Sequence, residues 1–387
     1  MSKEVKVVIG SNFGDEGKGL MTRFFANQAI VENKQPIIIF HNGSAQRGHT
    51  VDYTENFRHV YHHFGSGTAD NVPTFFGPTF WIHPMEFKRE WLELKTSGIV
   101  VPKAYCDPRA RVVTPFDMLV DHITEDWIAL QTGMREHGSC GYGTWCAIED
   151  RGTQSVYSIK DYISTYDTYL RYILENTWHD CLSVLIGRGV DIDQLPQYKK
   201  YFTINSEARK NIINNFINDI KFFLSRVNIC SFDELFSKDF TFIFENGQGL
   251  GLDMNVNNKW HTTSNTGLTN SVDYLKDKDV NVEVCYITRS YLTRHGIGPM
   301  EEEVRKSAIN AEMVDLTNVP NPFQGSLRYG YLNDREQQQR IEKDWSLVKD
   351  DKRFKKTMAV THCNEFPDES QTAKYYSDSP FYVKERK

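Results

Sequence analysis

The residues best suited to chemistry sit near the start of the chain, in the turn Gly14-Asp15-Glu16-Gly17-Lys18-Gly19. Glycine lets backbone approach a ligand closely, and Lys18 supplies a point charge for an anion. Val5, Val7, Val8 and Ile9 precede the turn as a β-branched strand, and Leu20 to Ala29 follow it as a helix. Strand, glycine turn and helix together aim backbone N–H groups and a helix N-terminus at phosphate. Only two residues separate Gly14 from Gly17, and no Ser or Thr follows Lys18, so the turn departs from the usual phosphate loop. It also holds two acids. Asp15 and Glu16 would repel a phosphate unless a cation bridges them or one of them has a chemical task. The plainer alternative is a tight turn with a solvated lysine.

Similar loops recur at the ends of apolar runs. Pro36 to Phe40 reads as a buried strand and leads into His41-Asn42-Gly43-Ser44-Ala45-Gln46-Arg47-Gly48-His49-Thr50. Ligands of open parallel sheets bind beyond the carboxyl ends of strands, so this loop should face the first. An imidazole at His49 can donate to a substrate oxygen or a phosphate. Tyr61-His62-His63-Phe64 invites a metal reading, but adjacent histidines on a strand point to opposite faces, which favours packing or hydrogen bonding. Gly138-Ser139-Cys140-Gly141-Tyr142-Gly143 suits either an anion-contacting loop or a linker. Phe240 to Phe244 is a strand ending in Glu245-Asn246-Gly247-Gln248-Gly249, where Gln248 offers both a donor and an acceptor. His261 to Thr266 is rich in hydroxyls and suits phosphate binding or helix capping. These loops outline a large polar site for at least one phosphorylated ligand.

Composition narrows the class of partner. The 387 residues include 45 basic and 51 acidic side chains, a net charge of −6, which leaves no footprint for duplex nucleic acid. Apolar runs are too short to cross a membrane. The opening Met1-Ser2-Lys3-Glu4 leads straight into a strand, so no secretory signal is expected. Seven scattered cysteines form no C-x-x-C pair, which reads as a reduced cytoplasmic protein without a zinc site.

Periodicity supplies the elements that must position these groups. Helices are expected over 84–97, 115–130, 159–186 and 207–224, and further strands over 104–106, 282–288 and 358–360. The expected fold is α/β: one domain over residues 1–387, built on a large, mainly parallel twisted sheet with flanking helices.

Taken in order, the motifs resemble the adenylosuccinate synthetase family. G-D-E-G-K-G stands at Gly14 to Gly19, G-H-T at Gly48 to Thr50 and E-x-x-Q-G at Glu245 to Gly249. A T-S-N-like stretch lies at Thr262 to Asn265 and T-R-x-G-x-G-P at Thr293 to Pro299. The resemblance implies a C–N ligase acting in two steps. A nucleoside triphosphate phosphorylates the 6-oxygen of a purine nucleotide, and the amino group of L-aspartate then displaces the phosphate. It implies Asp15 as the base at N1, His49 as the acid at O6, and Lys18 and Gln248 as charge-stabilising groups. Mg²⁺ would be held by Asp15 and the Gly48 carbonyl. The implied nucleotide-binding set further includes Asn12, Gly14, Glu16, Gly17, Gly19, Gln46, Thr50 and Thr262. Ser139 and Cys140 would grip the monophosphate, and Arg151 would reach across a homodimer. Ser379 and Pro380 stand for the family's S-T-G-P.

The departures from the family pattern bear on specificity. Where the family reads guanine with a Lys-x-Asp pattern, this chain has His362-Cys363-Asn364. An amide at Asn364 can donate and accept, which suits the adenine edge and favours ATP or dATP over GTP. The family's arginine-rich aspartate loop is thinned to Gly325, Ser326 and Arg328, with Leu327 between. Gln46 replaces the family's Asn before G-H-T. These changes resemble a bacteriophage branch that joins aspartate to dGMP and makes N6-succino-2-amino-2′-deoxyadenylate for diaminopurine DNA. The implied location is the cytoplasm, that of the host if the chain is phage-encoded. Two other readings stay open: a diverged ligase using IMP and GTP, and a non-catalytic nucleotide sensor. Retention of Asp15, Lys18, His49 and Gln248 argues against the sensor, which needs neither base nor acid.

Overall fold

Val5, Val7 and Ile9 point to one face of the first strand and Val8 to the other, and all four are buried. Burial on both faces is what a central parallel strand requires. The computed structural model describes residues 2–133, 141–150, 157–163, 166–253, 265–296, 298–315, 325–367 and 372–386. Within these, ten strands form one sheet: β1 (Lys3–Gly10), β2 (Pro36–Phe40), β3 (Thr74–Phe76), β4 (Ala104–Cys106), β5 (Val227–Ile229), β6 (Thr241–Gly249), β7 (Val280–Arg289), β8 (Phe354–Thr361), β9 (Tyr375–Tyr376) and β10 (Lys384–Glu385). Their order is β10-β9-β8-β7-β1-β6-β2-β3-β4-β5, and every pair is parallel except β9 with β10.

Because β1, β2, β6 and β7 run the same way, their carboxyl ends lie at one edge of the sheet. The glycine turn after Gly10, the His41 loop after Phe40, the end of β6 and the Arg289 turn therefore gather there. Helix α1 (Lys18–Val31) starts directly on Gly17, whose φ of 87° only glycine adopts easily. Helix α2 (Pro84–Thr96) and α3 (Pro115–Thr132) both open at proline, and α3 adds a capping box between Thr114 and Asp117. A hairpin of His49–Thr54 and Phe57–Tyr61 folds over α1. A small antiparallel sheet joins Leu292–Arg294, Glu303–Val304 and Arg328–Gly330.

Two apolar layers sandwich the sheet. Val8, Ile38, Phe40 and Ile243 face α1 and the helices over 84–224, whereas Val7, Ile39, Phe244 and Val284 face the other side. The α/β fold with a large, mostly parallel sheet is as expected. Three details differ. Strand β6 runs on through Glu245-Asn246-Gly247-Gln248-Gly249 instead of ending at Phe244. The helical run from 159 comprises Ile159–Tyr162 and Asp167–Gly187. The strand before His62 and His63 ends at Tyr61, so strand alternation does not govern them. Among the described residues no disulfide joins the cysteines, and no helix is long and apolar enough to cross a membrane.

Candidate active site

The turn after β1 is strained and internally braced. Gly14, Asp15 and Gly17 have φ of 90°, 54° and 87°. Asp15 is the one side-chain-bearing residue of the three, in a conformation that costs about 1–2 kcal/mol outside glycine. Its carbonyl accepts a hydrogen bond from Arg289 Nε. The Glu16 carboxylate folds back under the turn and accepts from the amides of Asn12 at 2.7 Å and Gly14 at 3.2 Å. Burial raises its pKa to about 7, against the pull of Lys18 and those amides. Of the two acids, Glu16 thus braces the loop, and the Asp15 carboxylate remains partly exposed in the cleft.

Lys18 is 4% exposed, which overturns the solvated-lysine reading. Burial lowers its pKa, opposed by Glu16, Asp15 and Glu245. Close packing fixes the helix start. A Cβ on Gly17 would come within 2.8 Å of Thr361 Cγ2, and one on Gly19 within 2.5 Å of the Thr50 carbonyl oxygen.

His49 opens the hairpin, and its Nδ1 lies 2.7 Å from Glu245 Oε1 in the middle of β6. Glu245 also accepts from the Ser66 amide at 3.1 Å and from the Ser66 hydroxyl. Burial alone would raise the Glu245 carboxyl, but His49 and Ser66 outweigh it and hold it below its ordinary value. Burial lowers the His49 imidazole in spite of Glu245. A neutral imidazole beside an ionised carboxylate donates from Nδ1, which leaves Nε2 for a ligand. His62 and His63 have structural partners: His62 Nδ1 meets the Ala45 carbonyl at 3.0 Å, and His63 Nε2 accepts from the His83 amide at 2.8 Å.

Asp15, Lys18 and His49 line one cleft of about 470 Å³. Glu16, Gly17, Gly19, Gly48 and Thr50 line it too, and Asn364, Ser379 and Pro380, more than 300 positions along the chain, complete it. Other expected residues lie outside these walls. The Asn12 amide is used internally, donating to Thr288 Oγ1 at 2.9 Å and accepting from Arg340 at 2.7 Å. Gln46 Oε1 accepts from the Ser44 amide and the Thr144 hydroxyl. Gly14, Gln248, Gly325, Ser326 and Arg328 are also not among the cleft's lining residues. Gln248 has φ of 66° and sits beside the end of β1. Arg328 is held by Glu303 and by the carbonyls of Gly296 and Gly298. Ser139, Cys140, Arg151 and Thr262 lie outside the described residues.

Glu245, Arg289 and Asp315 join the site without a role expected from sequence. Arg289 reaches Asp315 Oδ2 at 3.2 Å as well as the Asp15 carbonyl, and both Arg289 and Asp315 line the cleft. The available signal was a charged residue closing or interrupting an apolar strand, at Glu245 and Arg289. Asp52, Glu55 and Arg58 of the hairpin also line the cleft, with no signal beyond their charge.

The site suits a hard divalent cation. Among the described residues the compact group of possible ligand side chains is Asp117, Cys146 and Cys181, which does not include Asp15. Asp15 offers one carboxylate and Gly48 one carbonyl at the same cleft. One carboxylate completed by phosphate oxygens and water is how Mg²⁺ is usually bound.

Glycine loops at strand ends, a buried lysine and an imidazole–carboxylate pair thus meet at the carboxyl edge of one α/β sheet. The chain belongs to the adenylosuccinate synthetase family, whose model matches residues 7–321. It is 25% identical over 311 residues to the enzyme of Halothermothrix orenii, covering 77% of this chain and 65% of that one. It is 26% identical over 310 residues to that of Thermotoga maritima, covering 77% and 67%. The chain thus spans 65% to 67% of the length of these curated relatives. Its fold is similar to that of a fully ligated adenylosuccinate synthetase from Plasmodium falciparum (TM-score 0.66, 17% identity, 93% of this chain and 77% of that one). It is also similar to the cyanophage S-2L succinoaminodeoxyadenylate synthetase bound to dGMP and dATP as energy donor (TM-score 0.64, 14% identity, 100% and 96%).

Proposed function

We propose that this chain joins L-aspartate to the 6-position of a purine nucleoside monophosphate, with dGMP as acceptor and ATP or dATP as phosphoryl donor. The observation that carries the proposal is the convergence of Asp15, Lys18 and His49 on one cleft. Asp15 takes the N1 proton, O6 attacks the γ-phosphorus and the nucleoside diphosphate leaves. The aspartate amine then attacks C6, phosphate departs, and the amine loses a proton. His49, held through Nδ1–H by Glu245, donates at the oxygen that carries charge once Nε2 is protonated. Lys18 and Gln248 stabilise charge on the phosphoryl group and the base. Asp15 and the Gly48 carbonyl would hold Mg²⁺, which would supply charge neutralisation for the phosphates.

Asn364 at the cleft wall supports an adenine donor, with Ser379 and Pro380 beside it. Support for dGMP comes from the thinned arginine loop and from the fold likeness to the cyanophage enzyme. A diverged ligase using IMP and GTP is the second reading, in keeping with the name adenylosuccinate synthetase that the curated relatives carry. Gly325, Ser326 and Arg328 frame the aspartate site, Ser139, Cys140, Arg151 and Thr262 contact phosphate, and the working form is a homodimer. The proposed site of action is the cytoplasm.

Asp15→Ala tests the chemistry. Nucleotide binding by calorimetry should persist while turnover is lost; near-normal turnover would refute Asp15 as the base.

A further inference from the structure

Arg294 ends the strand Leu292–Arg294 and lies directly across from Arg328. The residue is 2% exposed, and its Nε is buried without a hydrogen-bond partner. Its Nη1 donates to the Pro299 carbonyl at 2.7 Å, and the guanidinium sits 4.9 Å over the Phe13 ring. The nearby acids are committed elsewhere. Glu301 pairs with Arg340 at 2.9 Å, and Glu303 pairs with Arg328. Among the described residues no carboxylate forms an ion pair with Arg294. Burial lowers its pKa to about 10 and Arg328 adds to the effect, with Glu301 and Glu303 opposing it from a distance at which neither forms an ion pair with Arg294. A buried cation without a counter-ion is costly, so its retention calls for an anion that arrives with the substrate.

The position fits one such anion. Phe13 under the guanidinium begins the turn to Asp15, and the next residue, His295, has Nε2 3.6 Å from Asp15 Oδ2. The end of this strand therefore abuts the carboxylate at the reacting centre. Arg328, the arginine expected to serve aspartate, already spends its guanidinium on Glu303 and two carbonyls. We infer that Arg294 takes one carboxylate of the incoming L-aspartate and places its amine beside Asp15. The inference rests on the ligase reading and names the specificity residue for its second substrate.

The test compares R294K and R294Q with the wild-type chain in turnover of dGMP, ATP and aspartate, with thermal unfolding as the check on folding. In R294Q the aspartate KM should rise about 30-fold or more, as loss of a charge-assisted pair implies, while both nucleotide KM values stay within about 2-fold. An unchanged aspartate KM in a folded variant, or an equal rise for all three substrates, overturns the inference. A crystal of the wild-type chain with succinate, which has both carboxylates and no amine, needs no variant to fold. A succinate oxygen should lie about 3 Å from the Arg294 guanidinium; both carboxylates held elsewhere overturn the inference. The two readings fail separately. A wild-type chain that forms no aspartate adduct sinks the ligase assignment, whereas an active chain whose succinate misses Arg294 sinks only this one.

Discussion

His49 Nδ1 lies 2.7 Å from Glu245 Oε1, in a pair whose imidazole is 5% exposed and whose carboxylate is fully buried. The carboxylate fixes both the tautomer and the direction of the ring. Glu245→Gln keeps the shape but removes the negative charge that stabilises the protonated ring. It should lower kcat by about 100-fold or more and leave the nucleotide KM values nearly unchanged. Steady-state kinetics on the two proteins checks this, and a fall in affinity without a fall in kcat would count against the orienting role.

Asn364 lines the same cleft as the phosphate turn, at the far end of the chain. Its amide can donate to N1 and accept from N6 of adenine; a carboxylate accepts only. Asn364→Asp should therefore move the donor preference from ATP towards GTP by about 10- to 100-fold, the worth of one good base-edge pair. Competition between the two triphosphates at fixed dGMP and aspartate measures it. No shift would move donor reading to other residues.

Gly17 joins the turn to α1 with φ of 87°, and a Cβ there would lie 2.8 Å from Thr361 Cγ2. Gly17→Ala pays for the left-handed backbone, about 1–2 kcal/mol, and adds a clash with β8. Urea unfolding should show a loss of at least that size, together with weaker triphosphate binding. A variant as stable as wild type would contradict the packing.

Glu283 on β7 ties its strand to the adjacent β1 and, across β8, to β9. It meets Lys6 at 2.7 Å and the Tyr375 hydroxyl at 2.8 Å. Burial acts to raise its pKa, but Lys6, Tyr375 and Lys374 outweigh it and hold it at about 2, below the ordinary 4.5. A depressed carboxyl contributes stability that is present above about 4.5 and lost as pH falls through about 2. Allowing for screening on its solvent side, Glu283→Gln should cost about 1 kcal/mol at neutral pH. That difference should shrink between the two values, which urea midpoints across the acid range would show.

The long apolar strands were legible because a central parallel strand must be apolar on both faces, as in Pro36–Phe40, where all five residues are buried. Thr74–Phe76 and Val227–Ile229 are not legible in the same way, although Ala104–Cys106, equally short, is. The hairpin from His49 to Tyr61 escaped notice because its strands are mixed polar and half exposed. The turn at Gly14 to Gly19 was legible from its glycines. Glu16 was not, because whether an acid faces the ligand or the loop's own amides depends on backbone angles. Glu245 was hidden for another reason: its partner His49 is 196 positions away, and only the adjacency of β6 and β2 brings them together. Arg294 was quoted within a motif, but its lack of a counter-ion is a property of packing.

The most direct measurement incubates the full chain with L-aspartate and Mg²⁺, crossing dGMP or IMP with ATP, dATP or GTP, and follows the nucleotide product by mass spectrometry. An aspartate adduct of dGMP should form fastest with ATP or dATP, with one phosphate released per adduct. Faster turnover of IMP with GTP would contradict the substrate assignment. Absence of an adduct in every combination would contradict the ligase itself.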